Sequence, residues 1–246
     1  MPIQILQLES TTSDGVVLKS YVCLPESASH DNPAPAILVA PEWWGMVEHP
    51  QKVTERLAEA GFAAVAMDVY GEGKLTTDAA QANEWMSQML ADQDMLMARC
   101  KLIMDDFTDL EAVDKNRLGA IGFCFGGKIV LDMAREGFPL KAVATFHGNP
   151  DPKQPAQKGK FTAKVLVAHG EADSMVSMDA IEGLKKELDN ADVEYTVDVY
   201  EGAKHGFTNP NADKRAEENG VDLGYDADAA KASWDKMIAF MRDNLV

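Results

Sequence analysis

Short apolar runs separated by amphipathic segments make up most of this chain. Residues 36–40, 63–67, 142–146 and 164–168 are nearly continuous apolar runs, a pattern typical of strands buried on both faces of a sheet. Residues 193–200 alternate between apolar and polar positions and predict a last strand. Apolar positions spaced three or four residues apart predict helices over 53–60, 78–91, 92–112, 128–135, 178–189 and 229–243.

The order of these segments predicts the fold class. Strands that alternate with helices form βαβ units, so we expect an α/β protein with a mostly parallel central sheet and helices on both faces. The length of 246 residues predicts a single domain over 1–246, and residues 16–24 predict an early hairpin arm before Pro25. Two long polar stretches, 147–160 and 207–227, are expected to be mobile loops.

The charge of the chain argues against two classes of partner. It has 23 basic and 40 acidic residues and a formal net charge of −17, whereas nucleic acids and anionic membranes bind basic surfaces. The sequence contains no basic leader with an apolar core and no apolar run of transmembrane length. We therefore expect no nucleic-acid and no membrane partner, and a monomer or small homo-oligomer.

Cysteine usage indicates the compartment and the absence of a metal site. Cys23, Cys100 and Cys124 are widely spaced, and neither a Cys-x-x-Cys pair nor a His-Glu-x-x-His motif occurs. This pattern predicts a reduced protein in the cytoplasm that uses no metal and no organic cofactor.

Residues 118–127, Leu-Gly-Ala-Ile-Gly-Phe-Cys-Phe-Gly-Gly, carry the strongest chemical signal. A strand-like run ends in a Gly-x-Cys-x-Gly-Gly turn and a helical pattern follows, which is the context of a nucleophile elbow with cysteine in place of serine. Gly122 and Gly126 remove side chains that would collide across the turn, and the start of the helix favours the thiolate of Cys124. The alternative interpretation is a buried structural cysteine in an ordinary strand-to-helix turn.

Groups that could assist Cys124 follow two later predicted strands. In a parallel sheet the site lies beyond the carboxyl ends of the strands. Asp173 follows one strand in His-Gly-Glu-Ala-Asp, and His205 follows another in Ala-Lys-His-Gly-Phe. The order nucleophile, acid, histidine is that of α/β-hydrolase triads, so we predict that His205 accepts the thiol proton and that Asp173 fixes the imidazole tautomer.

Other residues are alternatives for two of these roles. Glu171 and Asp198 are rival acids, although the Gly-x-x-Asp spacing after a buried strand favours Asp173. An ordinary surface histidine is the alternative for His205. The remaining histidines are expected to be structural at the strand ends (His147, His169) or without a comparable setting (His30, His49).

Acyl transfer also requires an oxyanion hole and a pocket. The backbone N–H of Phe125, directly after the nucleophile, is one predicted donor, and that of Trp43, after strand 36–40, is the other. Trp44 and Phe207 are expected to line an apolar substrate pocket close to Glu42.

Four segments together resemble the dienelactone hydrolase family: Pro-Glu-Trp-Trp-Gly at 41–45, the Gly-Phe-Cys-Phe-Gly-Gly elbow, His-Gly-Glu-Ala-Asp at 169–173, and Ala-Lys-His-Gly-Phe at 203–207. The resemblance runs roughly from residue 15 to 243. It implies the α/β-hydrolase fold and a triad of Cys124, His205 and Asp173. It also implies that Glu42 lies beside the cysteine and takes its proton when substrate binds, in agreement with the greater basicity of a desolvated carboxylate.

The chain departs from the family at the positions that bind a substrate carboxylate. Family members that act on dienelactone use two arginines, one in the segment that matches 71–85 and one four residues after the catalytic histidine. Here the segment contains Lys74 but no arginine, and the second position is Asn209. Lys74 and Arg215 are possible substitutes but are more often surface charges. We therefore expect a more apolar ester or lactone as substrate.

The predicted function is hydrolysis of small carboxylic esters or lactones through a thioester on Cys124. One alternative is an acyltransferase, in which another acceptor replaces water. A second is a protein of the same fold that binds a ligand or senses oxidants without catalysis.

Overall fold

The computed structural model describes residues 2–246 and contains eight strands and seven helices. The strands are β1 (Ile3–Thr11), β2 (Val17–Pro25), β3 (Ala34–Ala40), β4 (Ala63–Ala66), β5 (Val113–Phe123), β6 (Ala142–Phe146), β7 (Lys164–Gly170) and β8 (Tyr195–Tyr200). The helices are α1 (Glu48–Glu59), α2 (Ala79–Ala91), α3 (Gln93–Thr108), α4 (Phe125–Arg135), α5 (Met178–Asn190), α6 (Ala212–Asn219) and α7 (Ala227–Leu245).

The strands form a sheet in the order β1-β2-β4-β3-β5-β6-β7-β8. The pairs β3–β4, β6–β7 and β7–β8 are parallel, whereas β1–β2 and β2–β4 are antiparallel. The mostly parallel α/β sheet predicted from the alternating pattern is therefore confirmed.

The chain divides into two compact units, and β5 continues from one into the other. The first unit runs to Ala120 and includes Leu245. In it β1 pairs with β2 along its whole length, and β3 and β4 are buried at every position. Continuous burial explains why these two strands have no polar face, since both sides of a parallel strand are covered.

The second unit runs from Ile121 to Asn244 and includes Val246. Its strands β6 and β7 are buried over nearly their whole length, while β8 at the end of the strand order alternates between half-buried and exposed residues. The carboxyl ends of these parallel strands carry the residues that the sequence assigns to chemistry.

The hairpin arm predicted over 16–24 is confirmed, since Val17–Pro25 pairs antiparallel with the unpredicted strand Ile3–Thr11. Four other local predictions are wrong. Helix α1 begins at Glu48 rather than at 53. The polar stretch 207–227 contains a helix, α6, which has one buried residue and therefore little apolar periodicity. Helix α4 begins at Phe125 rather than at 128, since the turn leads directly into it. Helix α3 ends at Thr108 rather than at 112, because a turn that includes a Leu110 N–H to Phe107 carbonyl bond follows.

Candidate active site

Cys124 occupies the turn between β5 and α4 in a conformation that few L residues adopt. Its φ is +53° and its ψ is −114°. A β-carbon on Gly122 would lie 2.0 Å from the carbonyl oxygen of Gly126, so only glycine fits at 122. The elbow geometry predicted from the glycine spacing is therefore present, and it leaves the Cys124 side chain partly exposed.

The peptide groups on both sides of Cys124 are held by hydrogen bonds. The Cys124 N–H donates to the carbonyl of Phe146 at 3.0 Å and to Nδ1 of His147 at 3.2 Å. The Cys124 carbonyl accepts from the N–H groups of Gly127 and Lys128 in the first turn of α4. A strained residue persists only when its surroundings determine its conformation, and these bonds do so here.

Asp173 and His205 form a buried pair. Nδ1 of His205 lies 2.8 Å from Oδ2 of Asp173, and the two residues are 4% and 8% exposed respectively. The other carboxylate oxygen, Oδ1, accepts from the backbone N–H groups of Met175 and Val176. Burial alone would raise the pKa of Asp173, but the bond with His205 and these two N–H groups hold it below its ordinary value.

The two turns that carry this pair approach each other closely. A β-carbon on Gly170, at the end of β7, would lie 2.3 Å from the carbonyl of Ala203, so a side chain there would separate them. The Ala172 N–H also donates to the Ala203 carbonyl at 3.0 Å. These contacts explain why two residues 32 positions apart in the sequence meet.

The imidazole of His205 is held in a charged environment. Burial lowers the pKa of His205, but the negative charge of Cys124 and the hydrogen bond with Asp173 outweigh burial and raise it to about 10. Nε2 is buried, and Cys124 favours the charged ring both by its negative charge and by a side-chain interaction.

The rival acids have other contacts. Oε2 of Glu171 accepts from the Gly202 N–H at 3.3 Å, and the Asp198 carboxylate lies 3.7 Å from Nζ of Lys236. Neither arrangement places the carboxylate against a histidine ring. The geometry therefore brings Asp173, and neither rival, to His205.

His147 and His169 differ in their surroundings. The His147 ring lies edge-on to the His205 ring, with centroids 5.0 Å apart, and Nε2 of His147 lies 2.9 Å from Oγ1 of Thr208. His169 is buried, and neither ring nitrogen has a hydrogen-bond partner in the described chain. Burial lowers the pKa of His169, which favours its neutral ring.

Glu42, Trp43 and Trp44 lie in the first unit, in the segment after β3. Glu42 is 4% exposed, and its Oε2 lies 3.5 Å from Nδ1 of His49. The carbonyl of Trp43 accepts from the Tyr70 hydroxyl at 3.0 Å, which fixes the peptide after this residue. The two indole rings are edge-on, with centroids 4.9 Å apart.

The residues assigned to the pocket and to charge recognition are placed as follows. Trp44 and Phe207 are 1% and 0% exposed, and Phe207 packs on the rings of His147 and Tyr200. Lys74 is exposed, with Nζ 5.9 Å from the centroid of the Trp85 ring, and Arg215 pairs with Glu218. Oδ1 of Asn209 accepts from the Asn211 N–H in a local turn.

Three residues near these groups gave little signal in the sequence. Thr208 and His49 carried none, and His147 was assigned only a structural place. The contacts of His147 with Cys124 and Thr208 join segments 23 and 61 residues apart, so no local pattern reports them. The one available clue was that His147 directly follows a buried strand, β6. Within residues 2–246, no three His, Cys, Asp or Glu side chains are grouped so as to hold a metal ion.

The chain is similar to known proteins over almost its whole length. The model of the dienelactone hydrolase family matches residues 18–245. A Yersinia pestis protein named "Putative carboxymethylenebutenolidase" is 28% identical over 238 residues, which cover 92% of this chain and 84% of that protein. An Aquifex aeolicus protein of the same name is 26% identical and covers 97% of this chain and 99% of its own.

Solved structures agree with the family match. The dienelactone hydrolase-like promiscuous phosphotriesterase P91 from metagenomic libraries superposes with a TM-score of 0.92, at 30% identity over 100% of both chains. A dienelactone hydrolase from Anabaena variabilis shares the fold with a TM-score of 0.70, at 18% identity over 100% of both chains. The family match, together with an elbow cysteine and a buried histidine–aspartate pair on an α/β-hydrolase fold, leads to one conclusion: this chain is a hydrolase that belongs to the dienelactone hydrolase family.

Proposed function

We propose that this enzyme hydrolyses small carboxylic esters or lactones through a thioester on Cys124, with His205 and Asp173 completing a triad. The observation that carries the proposal is the buried contact of 2.8 Å between His205 Nδ1 and Asp173 Oδ2. This contact places the Nδ1 proton toward Asp173 and leaves Nε2 for proton transfer, as a general base requires.

The first half of the reaction forms the thioester. The Sγ of Cys124 attacks the carbonyl carbon as a thiolate, and the carbonyl π electrons move to oxygen. The oxyanion is stabilised by backbone N–H groups, for which the proposal assigns Phe125 and Trp43. Phe125 is the first residue of α4, and N–H groups at this end of a helix point away from it. Collapse expels the alcohol oxygen, which takes a proton from Nε2 of His205.

The second half releases the acid. Nε2 of His205, now neutral, takes a proton from water as the water oxygen attacks the thioester carbon. Collapse breaks the carbon–sulfur bond and restores the Cys124 thiolate beside the His205 imidazolium. In a lactone the alcohol formed in the first half stays attached to the acyl group, so one hydroxy acid is released.

The thiol proton has two candidate acceptors before substrate is attacked. His205 accepts it if the resting site is a thiolate–imidazolium pair, which the charge-stabilised imidazole favours. Glu42 accepts it if the resting thiol is neutral, which is the role that the family resemblance implies. The buried position of Glu42 supports a role beyond that of a solvated loop acid.

Two further features belong to the proposal. The segments assigned to substrate-carboxylate binding have no arginine, and Lys74 is exposed over Trp85, so we propose an apolar substrate rather than dienelactone. All three cysteines are free, with Cys23 and Cys100 buried, which supports a cytoplasmic location. No helix in residues 2–246 is both long and apolar enough to cross a membrane.

The test is pre-steady-state hydrolysis of p-nitrophenyl acetate by the wild type and by Cys124→Ala. We expect a burst of p-nitrophenol equal to the enzyme concentration, then turnover, and an acetyl group on the peptide that contains Cys124 after acid quench. Loss of both phases in Cys124→Ala supports the proposal. A burst without turnover favours the acyltransferase, and added thiols or alcohols would then restore turnover. Unchanged activity in Cys124→Ala overturns the proposal that Cys124 is the nucleophile.

A second candidate activity is supported by the similarity to P91, whose printed name is a promiscuous phosphotriesterase and which matches this chain over its full length. The Cys124 thiolate would attack phosphorus and expel an aryloxide, leaving a thiophosphoryl bond that water cleaves. Paraoxon tests this activity: sustained release of p-nitrophenol that is lost in Cys124→Ala supports it, and release in the mutant at the wild-type rate overturns it.

A further inference from the structure

His147 links the nucleophile turn to the turn that carries His205. Its Nδ1 accepts the N–H of Cys124 at 3.2 Å, and its Nε2 lies 2.9 Å from Oγ1 of Thr208, three residues after His205. His147 is 1% exposed, whereas its partners Cys124 and Thr208 are half-buried. One ring therefore touches both segments on which the proposed chemistry depends.

The contact with Cys124 determines the tautomer of His147. An atom that accepts a hydrogen bond from a peptide N–H carries no proton, so the single ring proton of neutral His147 is on Nε2. That proton is donated to Oγ1 of Thr208. The two contacts are mutually consistent in this one neutral form, in which the ring accepts at one nitrogen and donates at the other.

The backbone of His147 also has an unusual conformation, which places its ring between the two turns. Its φ is +41°, in the left-handed region, and its N–H donates to the carbonyl of Ala168 at the end of β7. Left-handed residues other than glycine are uncommon and are enriched where a site requires them. The ring further packs edge-on against His205 and Phe207, at 5.0 Å and 5.3 Å between centroids.

We propose that His147 is a positioning residue that holds the Cys124 peptide and the His205 turn at a set separation. The inference rests on the proposed function for its catalytic consequence, but the positioning of Cys124 is measurable without any substrate. The Cys124 conformation is strained, and the shared N–H is one of the bonds that maintain it. Loss of the acceptor at Nδ1 leaves the Cys124 N–H to the Phe146 carbonyl and loosens the elbow, and loss of the Thr208 hydroxyl loosens the turn of His205.

Three variants separate the two contacts. His147→Phe keeps a ring but removes both nitrogens. His147→Asn keeps an acceptor where Nδ1 stands and tolerates the left-handed backbone, but loses the contact with Thr208. Thr208→Val leaves the Cys124 contact in place and removes the hydroxyl. Val143→Ala, a buried substitution in the strand that leads to His147, is the control for general loss of stability.

Two rates are measured for each variant, together with its thermal midpoint. The first is alkylation of Cys124 by iodoacetamide, which is specific because Cys23 and Cys100 are buried, with Cys124→Ala as the blank. The second is the burst rate with p-nitrophenyl acetate. We expect His147→Phe to lower both rates by about 10- to 100-fold, since small misplacements of reacting groups are costly, with KM changed less than about threefold. We expect both rates to fall by about 2- to 10-fold in His147→Asn and in Thr208→Val, which is the effect of one hydrogen bond.

The outcomes distinguish the inference from the proposed function. If His147→Phe is folded and both rates stay within about twofold of the wild type, as in Val143→Ala, the inference is overturned while the function stands. If His147→Phe does not fold, rates within about twofold in both His147→Asn and Thr208→Val overturn it in the same way. If the wild type shows no burst but alkylation still follows the expected order, the proposed function fails and the positioning role of His147 is supported.

Discussion

Gly122 and the carbonyl of Gly126 are so close that no other residue fits at position 122. A β-carbon there would lie 2.0 Å from that oxygen and 2.7 Å from the N–H nitrogen of Gly127. The contact is between backbone atoms, which cannot rotate away as the end of a flexible side chain does. The tight turn that presents Cys124 thus depends on the absence of a side chain two residues before it.

Gly122→Ala should therefore destabilise the protein by about 2–4 kcal/mol and abolish Cys124 reactivity, since the strand and the helix must separate. Urea denaturation and iodoacetamide labelling measure the two effects. Gly183→Ala is the matched control, because the added methyl group at this exposed position in α5 meets no atom within 4 Å. It should stabilise the protein by about 0.5–1 kcal/mol. Equal effects of the two substitutions would contradict the steric argument.

Asp173→Asn should lower the rate of thioester formation by about 10²- to 10⁴-fold with little change in KM. The neutral amide cannot stabilise the His205 imidazolium as the carboxylate does, so fewer molecules hold the thiolate–imidazolium pair from which Cys124 attacks. The burst rate with p-nitrophenyl acetate measures this effect. Glu171→Gln is the control, since its carboxylate bonds the Gly202 N–H instead. If Glu171→Gln lowers the burst rate by a comparable factor, the assignment of Asp173 as the triad acid is wrong.

The ring of His205 should remain protonated well above neutral pH. Burial lowers the pKa of His205, but the Cys124 charge and Asp173 raise it to about 10, and NMR of the imidazole nitrogens follows it directly. Because this value exceeds the ordinary 6.5, the stability that the proton contributes is complete below pH 6.5 and is lost as the pH rises through about 10.

The same titration separates the two causes. In Cys124→Ala the neighbouring charge is absent, so the pKa of His205 should fall below its wild-type value; in Asp173→Asn it should fall as well. A His205 pKa that does not change in Cys124→Ala would show that the thiolate does not act on the ring.

Arg135 stabilises the helix that follows the nucleophile. Its side chain is 1% exposed and contacts Asp132 and Glu187 at 2.8 Å, and its Nη2 also donates to the carbonyl of Pro150. Arg135→Met removes the buried partner of Glu187 and leaves Asp132 paired with Lys128 alone, so it should cost about 3 kcal/mol in the free energy of unfolding.

Denaturant titration of Arg135→Met measures this cost, and Lys185→Met is its control. Lys185 pairs with Glu182 on the surface of α5, where the ion pair contributes little. The Lys185→Met midpoint should stay close to that of the wild type. A loss in Arg135→Met no larger than in this control would show that the buried network does not stabilise the protein.

Local patterns in the sequence were enough to predict the strands and helices that have a strong apolar signal. β3, β4, β6 and β7 are buried on both faces, so each is a nearly unbroken apolar run. β1 and α6 escaped prediction for the opposite reason, since most of their residues are half-buried or exposed. Pairing with β2, rather than composition, determines that Ile3–Thr11 is a strand.

The sequence by itself determined the fold class, the family and the order of Cys124, Asp173 and His205, because each rests on residue types within a few positions of a strand end. Only the tertiary structure decided which acid meets His205 and that His147 holds the Cys124 peptide. These contacts join segments separated by 32 and 23 residues. They depend on how closely two turns approach and on which ring nitrogen accepts a hydrogen bond. No local pattern in the sequence contains this information.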